Sequence, residues 1–322
     1  MYNYEKYKKE VNMDNLTSGG HRSEEERLAA QESAPKNGSD LEKESRETIS
    51  NLPDLGDFLK FIESDDFKKQ LSDKEDPQAV FYDFCTMSKK NVVEINRSAY
   101  EDKTSDRLHS TGGSDVKKLP EVKIYLGGFY WLRGKSQDLS ENEPKGRLYL
   151  NLDPDSAHAV FDNILTESSR NNIPLKLKMP ANLNERSAKR IDKMIIYFNE
   201  SYGDKIVQII SRSIQELQNA YDISSPDKKV MRSEEIPRFT QKVKGVDGKI
   251  MSGVGFGEEP SIKNESFSKI RSCILTDLYY ALSEGQSLSD SLWKNICSRY
   301  KVDPENPAFN SGKQTERFKY FR

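Results

Sequence analysis

Apolar and charged residues alternate with a period of two along Pro174-Leu-Lys-Leu-Lys-Met179. That period predicts a strand with Leu175, Leu177 and Met179 on a core face and Lys176 and Lys178 side by side on the other. Pro174 suits a strand start, where its missing N–H need not enter the ladder. Upstream, Arg147-Leu-Tyr-Leu-Asn-Leu152 alternates in the same way. Asp153-Pro154-Asp155-Ser156 then offers a turn and a helix cap, and Ala157, Val160, Phe161, Ile164 and Leu165 follow at helical spacing as far as Asn171-Asn172. Downstream, Glu185 to Arg190 reads as a polar helical connector, and Asp192 to Phe198 as a third strand, apolar enough to be central. Asp204 to Tyr221 reads as a helix carrying Ile206, Val207, Ile209, Ile210, Ile214 and Leu217. The order β-α-β-β-α predicts an α+β fold in which helices cover one face of a mixed or antiparallel sheet.

The flanking segments extend this frame. Leu55, Phe58, Leu59, Phe61, Ile62 and Phe67 predict a short amphipathic helix broken at Ser64-Asp65. Ala79, Val80, Phe81, Phe84 and Met87 predict another, giving a small α-rich N-terminal cap on the sheet. Lys103 to Lys118 reads as a linker around Gly112-Gly113. Val122 to Leu126 and Gly128 to Leu132 read as strands of the same sheet, with Gly134 to Gly146 as an exposed hairpin loop leading into Arg147. Near the C-terminus, Ser266 is placed to cap a helix that buries Phe267, Ile270, Ile274, Leu275, Leu278, Tyr279 and Leu282. Arg271 falls off the main apolar stripe of that helix and is expected to point back toward the lysine strand. The resulting division is a disordered tail over 1–48, an α-rich region and linker over 49–118, and an α+β domain over 119–322.

Composition narrows the function. Of 322 residues, 34% are hydrophobic and 32% charged, and mean hydropathy is −0.82, so part of the chain is expected not to fold. That part is the Ser-, Asn-, Glu- and Lys-rich stretch to about Thr48. A net charge of −2 gives no general attraction to nucleic acid or membrane, and no apolar run reaches the length of a membrane span. Cys85, Cys273 and Cys297 form no CxxC pair and are odd in number, which argues against metal ligands or a disulfide framework and suits a reducing compartment; Cys273 and Cys297, on predicted helices, read as small buried apolar residues. No metal or organic cofactor is expected.

Two lysines on one strand face repel unless an anion or a carboxylate lies between them; the alternative is that they face water, as lysines on edge strands do. Gly245, Gly248, Gly253, Gly255 and Gly257 make the region to Pro260 glycine-rich, which reads either as an anion-binding backbone nest or as a plain surface loop. It lacks the GxxxxGK[ST] of a nucleotide phosphate loop. Of the three histidines, His21 lies in the tail, His109 in a polar loop, and His158 is expected on the solvated side of a helix.

The order and spacing of several segments resemble the HopA family of type III secretion effectors. They are Arg147-Leu-Tyr-Leu-Asn-Leu-Asp-Pro-Asp-Ser-Ala157, Ile173-Pro-Leu-Lys-Leu-Lys178, Arg190-Ile-Asp-Lys-Met-Ile-Ile-Tyr197, Ile236-Pro-Arg-Phe-Thr240, Gly253-Val-Gly-Phe-Gly-Glu-Glu-Pro260 and Glu265-Ser-Phe-Ser-Lys-Ile-Arg271. The resemblance covers less than half of the chain. It implies a fold similar to the phosphothreonine lyase effectors, and for relatives in lanthipeptide-type gene clusters it implies elimination of phosphate from phosphoserine or phosphothreonine. Such chemistry needs a base for the Cα proton, and a lysine serves if neighbouring positive charge lowers its pKa. It also needs cations on the phosphate oxygens. The resemblance therefore makes Lys176 and Lys178 candidate catalytic residues, and Arg190, Arg238, Lys242 and Arg271 candidate phosphate-binding residues. The chain departs from the lyase pattern at one point. The lyase effectors carry a histidine two residues after the catalytic lysine, where this chain has Lys178 or Pro180. Proton donation to the leaving group would then fall to a lysine, to a tyrosine such as Tyr197, or to no group at all.

Three readings stay open. One is an effector delivered by a type III system into host cytoplasm, acting on a phosphorylated protein or peptide, with a secretion chaperone at its N-terminal region. A second is an effector that binds a host immune regulator without chemistry. A third is a lanthipeptide-type lyase in the bacterial cytoplasm, paired with a kinase.

Overall fold

A computed structural model describes residues 52–88, 100, 122–125, 129–133, 139–140, 143–180, 183–262, 265–311, 318 and 321. The tail over 1–48, the linker Lys103 to Lys118, His21 and His109 lie outside the described residues. In chain order the elements are α1 (Pro53–Ile62), α2 (Asp65–Lys74), α3 (Pro77–Thr86), β1 (Val122–Tyr125), β2 (Phe129–Arg133), β3 (Lys145–Leu150), α4 (Pro154–Arg170) and β4 (Leu175–Pro180). They continue with α5 (Glu185–Lys189), β5 (Met194–Asn199), α6 (Gly203–Ser224), β6 (Gln241–Lys244), β7 (Ile250–Glu258), α7 (Phe267–Ser283) and α8 (Asp290–Arg299). The fold is α+β.

All seven strands lie in one sheet of order β1-β2-β4-β5-β3-β7-β6, and each neighbouring pair is antiparallel. The two most apolar alternating segments, β5 and β3, take central places. Strands β2 and β3 are separated by β4 and β5, so the expected hairpin between them does not form.

The caps read from the sequence at Asp153 and Ser266 are present, and Ser64, read only as a helix break, is a third. Asp153 accepts from the Asp155 amide at the start of α4, Ser64 from Phe67 at α2, and Ser266 from Lys269 at α7. Each supplies an acceptor to an amide with no partner inside its helix.

Helices cover both faces of the sheet, not one as expected. On the first face Leu148, Leu150, Leu175, Leu177, Met194, Ile196, Phe198, Val254 and Phe256 pack with Val160, Phe161 and Ile164 of α4 and Ile206, Val207 and Ile210 of α6. On the second, Tyr149, Ile195 and Tyr197 join Phe81 and Phe84 of α3, Ile270, Ile274 and Leu278 of α7, and Trp293 and Ile296 of α8. The near-continuous apolar run of β5, all six residues buried, is the sequence mark of a strand covered on both sides.

Two further expectations are corrected. The glycine-rich stretch is neither a loop nor a nest at Gly253–Gly257 but strand β7. Val254 and Phe256 face the core there, and the glycines face large neighbours. A Cβ on Gly257 would lie 2.5 Å from the Phe267 ring, and one on Gly255 2.6 Å from Thr240 Oγ1. The glycines let α7 and the 236–240 segment come down onto the strand. His158 is buried rather than solvated, with its ring 4.6 Å from that of Tyr100. All three cysteines are free and buried.

Candidate functional site

The period of two in β4 places Lys176 and Lys178 on the second face, both half-buried, while Leu175, Leu177 and Met179 enter the first core. Register then sets their neighbours. Lys176 lies opposite Tyr197, which lies opposite Arg147, which lies opposite Gly257; Lys178 lies opposite Ile195, then Tyr149, then Gly255. Two basic and aromatic rows therefore run across the same face of four adjacent strands. With strands ~4.8 Å apart, Lys176 and Arg147 sit roughly 10 Å apart with the Tyr197 ring between them.

Arg147 is held from both sides. Its Nε and Nη2 both donate to the Glu259 carboxylate, and its guanidinium carbon stands 4.9 Å from the Tyr197 ring centroid. Burial works against its charge, but Tyr197, Tyr149 and Glu259 outweigh it and raise its pKa further. The Tyr197 hydroxyl is pushed up to about 12, first by burial, with Arg147 opposing, so it stays protonated.

Arg190 makes a two-pronged pair with Asp192, Nε to Oδ1 at 2.7 Å and Nη2 to Oδ2 at 2.6 Å. It also reaches Tyr82 of α3, with Nη2 3.4 Å from the hydroxyl and the guanidinium 5.5 Å from the ring centroid. Asp192 is only 2% exposed. This pair acts on Lys178. Burial lowers the Lys178 pKa first, Asp192 opposes, and Arg190 and Arg147 lower it further. Beside them Lys193 donates to the Ser187 and Ala188 carbonyls at 2.7 and 2.6 Å, closing the C-terminus of α5. Burial, and then Arg232, push its pKa down to about 7.

Arg238 and Arg271 are not brought to these rows, and Lys242 reaches only the far end of the Lys178 row, opposite Gly255. Arg238 donates its Nη1 to the Phe84 carbonyl and lies 3.8 Å from that ring's centroid, while its amide bonds to the Cys85 carbonyl. It closes the C-terminus of α3, where a cation also meets the negative end of the helix dipole. Arg271 is buried, donates to the Pro307 carbonyl and stacks 3.9 Å from the Phe267 centroid. Lys242 on β6 is exposed. It shares the second face but lies four strands from Lys178, roughly 19 Å at ~4.8 Å per strand.

Sequence reading missed Arg147, Asp192 and Glu259. A usable signal existed for the first, since alternation in Arg147-Leu148-Tyr149-Leu150 puts Arg147 and Tyr149 off the core face. Asp192 and Glu259 lie at strand ends and carry no such mark. A cleft between α1, α2, α3 and α5, with Phe61 and Phe84 on its floor and Asp83, Arg186 and Arg238 at its rim, is a separate feature that neither lysine lines. Among the described residues no group of three or more His, Cys, Asp or Glu side chains is placed to hold a metal ion, and no helix is long and apolar enough to cross a membrane.

Comparison with known proteins gives the following. The model of the HopA1 effector protein family matches residues 124–309, more than half of the 322-residue chain. No curated protein matches the sequence. Among solved structures, the effector protein from Pseudomonas syringae pv. syringae strain 61 is similar at 16% identity and a TM-score of 0.50, covering 83% of this chain and 99% of its own. The effector protein from Pseudomonas syringae pv. tomato strain DC3000 is similar at 13% identity and a TM-score of 0.49, covering 84% and 100%. The first likeness supports the fold.

Proposed function

This chain belongs to the HopA1 effector protein family, and we propose that its lysine face takes the phosphate of phosphoserine or phosphothreonine in a target protein and eliminates it. In this reading the protein is a type III secretion effector that acts in host cytoplasm. The observation that carries the proposal is the pair Lys176 and Lys178, held half-buried on one strand face in rows with Tyr197 and Arg147.

The roles follow from that arrangement. Lys178, whose neutral form is favoured by burial and by Arg190 and Arg147, takes the Cα proton. The electrons of the Cα–H bond form the Cα–Cβ double bond, the Cβ–O bond breaks, and its electron pair leaves on the phosphate oxygen. Lys176 and Arg190 meet the phosphate charge. Tyr197, protonated beside Arg147, is the proton donor to the leaving oxygen. Arg238 and Arg271 have no part in the proposal because each is held elsewhere, and Lys242 has none because it lies four strands from Lys178.

A second reading, binding of a phosphorylated partner without chemistry, is favoured by one observation: Asp192 opposes the lowering of the Lys178 pKa and so favours the charged amine. Mass spectrometry of a phosphoserine and phosphothreonine peptide library separates the two. Loss of phosphoric acid with wild type, absent with Lys178→Ala or Lys176→Ala, supports elimination. Unchanged peptide mass with retained binding supports the second reading.

A further inference from the structure

The hairpin between β6 and β7 ends in five consecutive exposed residues, Val246 to Ile250. Its turn closes on itself. The Gly245 amide donates to the Lys249 carbonyl at 2.8 Å and the Gly248 amide to the Gly245 carbonyl at 3.0 Å, with Gly248 at a φ of 75°. A three-residue loop with a left-handed glycine is a standard rigid hairpin end. The Lys249 amide donates to Asp247 Oδ1 at 3.0 Å, so the amides of Gly245, Gly248 and Lys249 all have partners within the tip.

Two apolar side chains stand on this tip. Val246 is 51% and Ile250 57% exposed, and among the described residues only Ile223 and Tyr280 join them as exposed large hydrophobics. Lysines surround them. Lys244 lies opposite Ile250 in the register, Lys242 lies two residues back on the same side of β6, and Lys249 adjoins Ile250 in the chain. All three are exposed, and none is in an ion pair among the described residues. From Gln241 to Gly257 the only acid is Asp247, whose carboxylate accepts from its own backbone. At about 3.3 Å per strand residue, the two aliphatics and three lysines fall within roughly 15 Å. The other side of the hairpin is occupied: Val243 and Met251 pack on the first core, and Gly245 lies against Ser211 of α6. Lysines that guard a sheet edge against pairing account for Lys242 and Lys244, but not for two bare aliphatics beside them.

We propose that this tip docks reversibly on an anionic lipid surface. Val246 and Ile250 enter the headgroup layer, and Lys242, Lys244 and Lys249 meet the negative headgroups around them. A protruding tip meets a flat interface without needing a matching pocket, and its bonded amides carry their partners in with them. The Debye length at physiological salt is about 8 Å, so these lysines rather than the net charge of −2 set the potential at the tip. The inference is independent of the elimination reading, since Lys178 lies four strands away.

The test is sedimentation of the full chain with vesicles of phosphatidylcholine alone and of phosphatidylcholine with phosphatidylserine. Wild type should sediment with the anionic vesicles only, and less so as salt is raised. Lys242→Gln, Lys244→Gln and Lys249→Gln should each lower partitioning about fivefold, which is the ~1 kcal/mol that one lysine contributes near such a surface. Val246→Ser with Ile250→Ser should lower it roughly tenfold. Lys68→Gln on α2, an exposed lysine of the N-terminal cap, should change nothing. In Val246→Trp the added indole should move to shorter emission wavelength with anionic vesicles, measured against wild type. Equal sedimentation with both vesicles, no sedimentation with either, or binding that survives the lysine or the aliphatic substitutions would overturn the proposal. Binding to soluble polyglutamate without binding to vesicles would also overturn it, and would assign the lysines to an acidic protein.

Discussion

Under α4 and α6 the sheet presents Leu148, Leu150, Leu177, Ile196, Phe198 and Phe256, all without exposure. On their other side the same strands present Arg147, Tyr149, Tyr197, Lys176 and Lys178. The first face is held by shape. Phe256 stacks on Phe321 at 4.1 Å and touches Phe318 and Phe309 at 5.1 and 5.4 Å. The second face packs apolar side chains of α3, α7 and α8 as well, but among them it carries charge pairs and single hydrogen bonds to carbonyls. An apolar face stabilises in proportion to the area it removes from water. A polar face in the same interior carries desolvation costs that packing alone does not return. The comparison teaches that the second face keeps its charges at a cost in stability, which is the expected mark of a surface retained for chemistry or recognition.

The largest expected effects separate the faces by whether a second change rescues the first. Phe256→Ala should lose about 3–5 kcal/mol in denaturant unfolding, since four aromatic neighbours would be left around a cavity. Arg190→Met should also lose about 3–5 kcal/mol, because it leaves Asp192 buried without its partner. Adding Asp192→Leu should recover much of that loss, whereas no polar change elsewhere recovers Phe256→Ala. If the double variant is no more stable than Arg190→Met, the pair is not the origin of the cost. Gly257→Ala comes next. Its Cβ would meet the Phe267 ring at 2.5 Å, and it should lose about 1–3 kcal/mol as α7 is pushed off the strand.

A pH slope on the second face separates the two faces in another way. Lys193 has a folded pKa near 7 against 10.5 for the free side chain, so the native state binds fewer protons than the unfolded state between those values. Stability from this group therefore rises as pH rises from about 7 toward 10.5, and the penalty is complete below the folded pKa. Unfolding midpoints of wild type and Lys193→Met across that range should diverge, with the variant flatter. Parallel curves would mean that Lys193 is not the group responsible.

Much of the fold was legible in periodicity. The alternation at Leu175 to Met179, the helical spacing at Ala157 to Leu165 and the caps at Asp153 and Ser266 all mark local structure, and local structure is what period and capping report. What was not legible depends on partners distant in sequence. Gly255 and Gly257 have the composition of a loop, yet they sit in β7 because Thr240 and Phe267 occupy the space their side chains would take. Strand β4 came between β2 and β3 in the sheet through pairings no turn sequence encodes. For the site, Lys176 and Lys178 were readable from β4 alone. Arg238 and Arg271 misled because arginine looks the same in sequence whether it closes a helix end, stacks in a core or faces a ligand.

The account rests on the claim that the lysine face is directed to phosphate, and calorimetric titration tests it most directly. A phosphothreonine peptide and its unphosphorylated twin would each be titrated into wild type, Lys178→Met and, as a control on the same face but four strands away, Lys242→Met. The account predicts that wild type and Lys242→Met prefer the phosphorylated peptide and that Lys178→Met loses the preference. Equal affinity of wild type for the two peptides, or a preference that survives Lys178→Met and is lost in Lys242→Met, would contradict it.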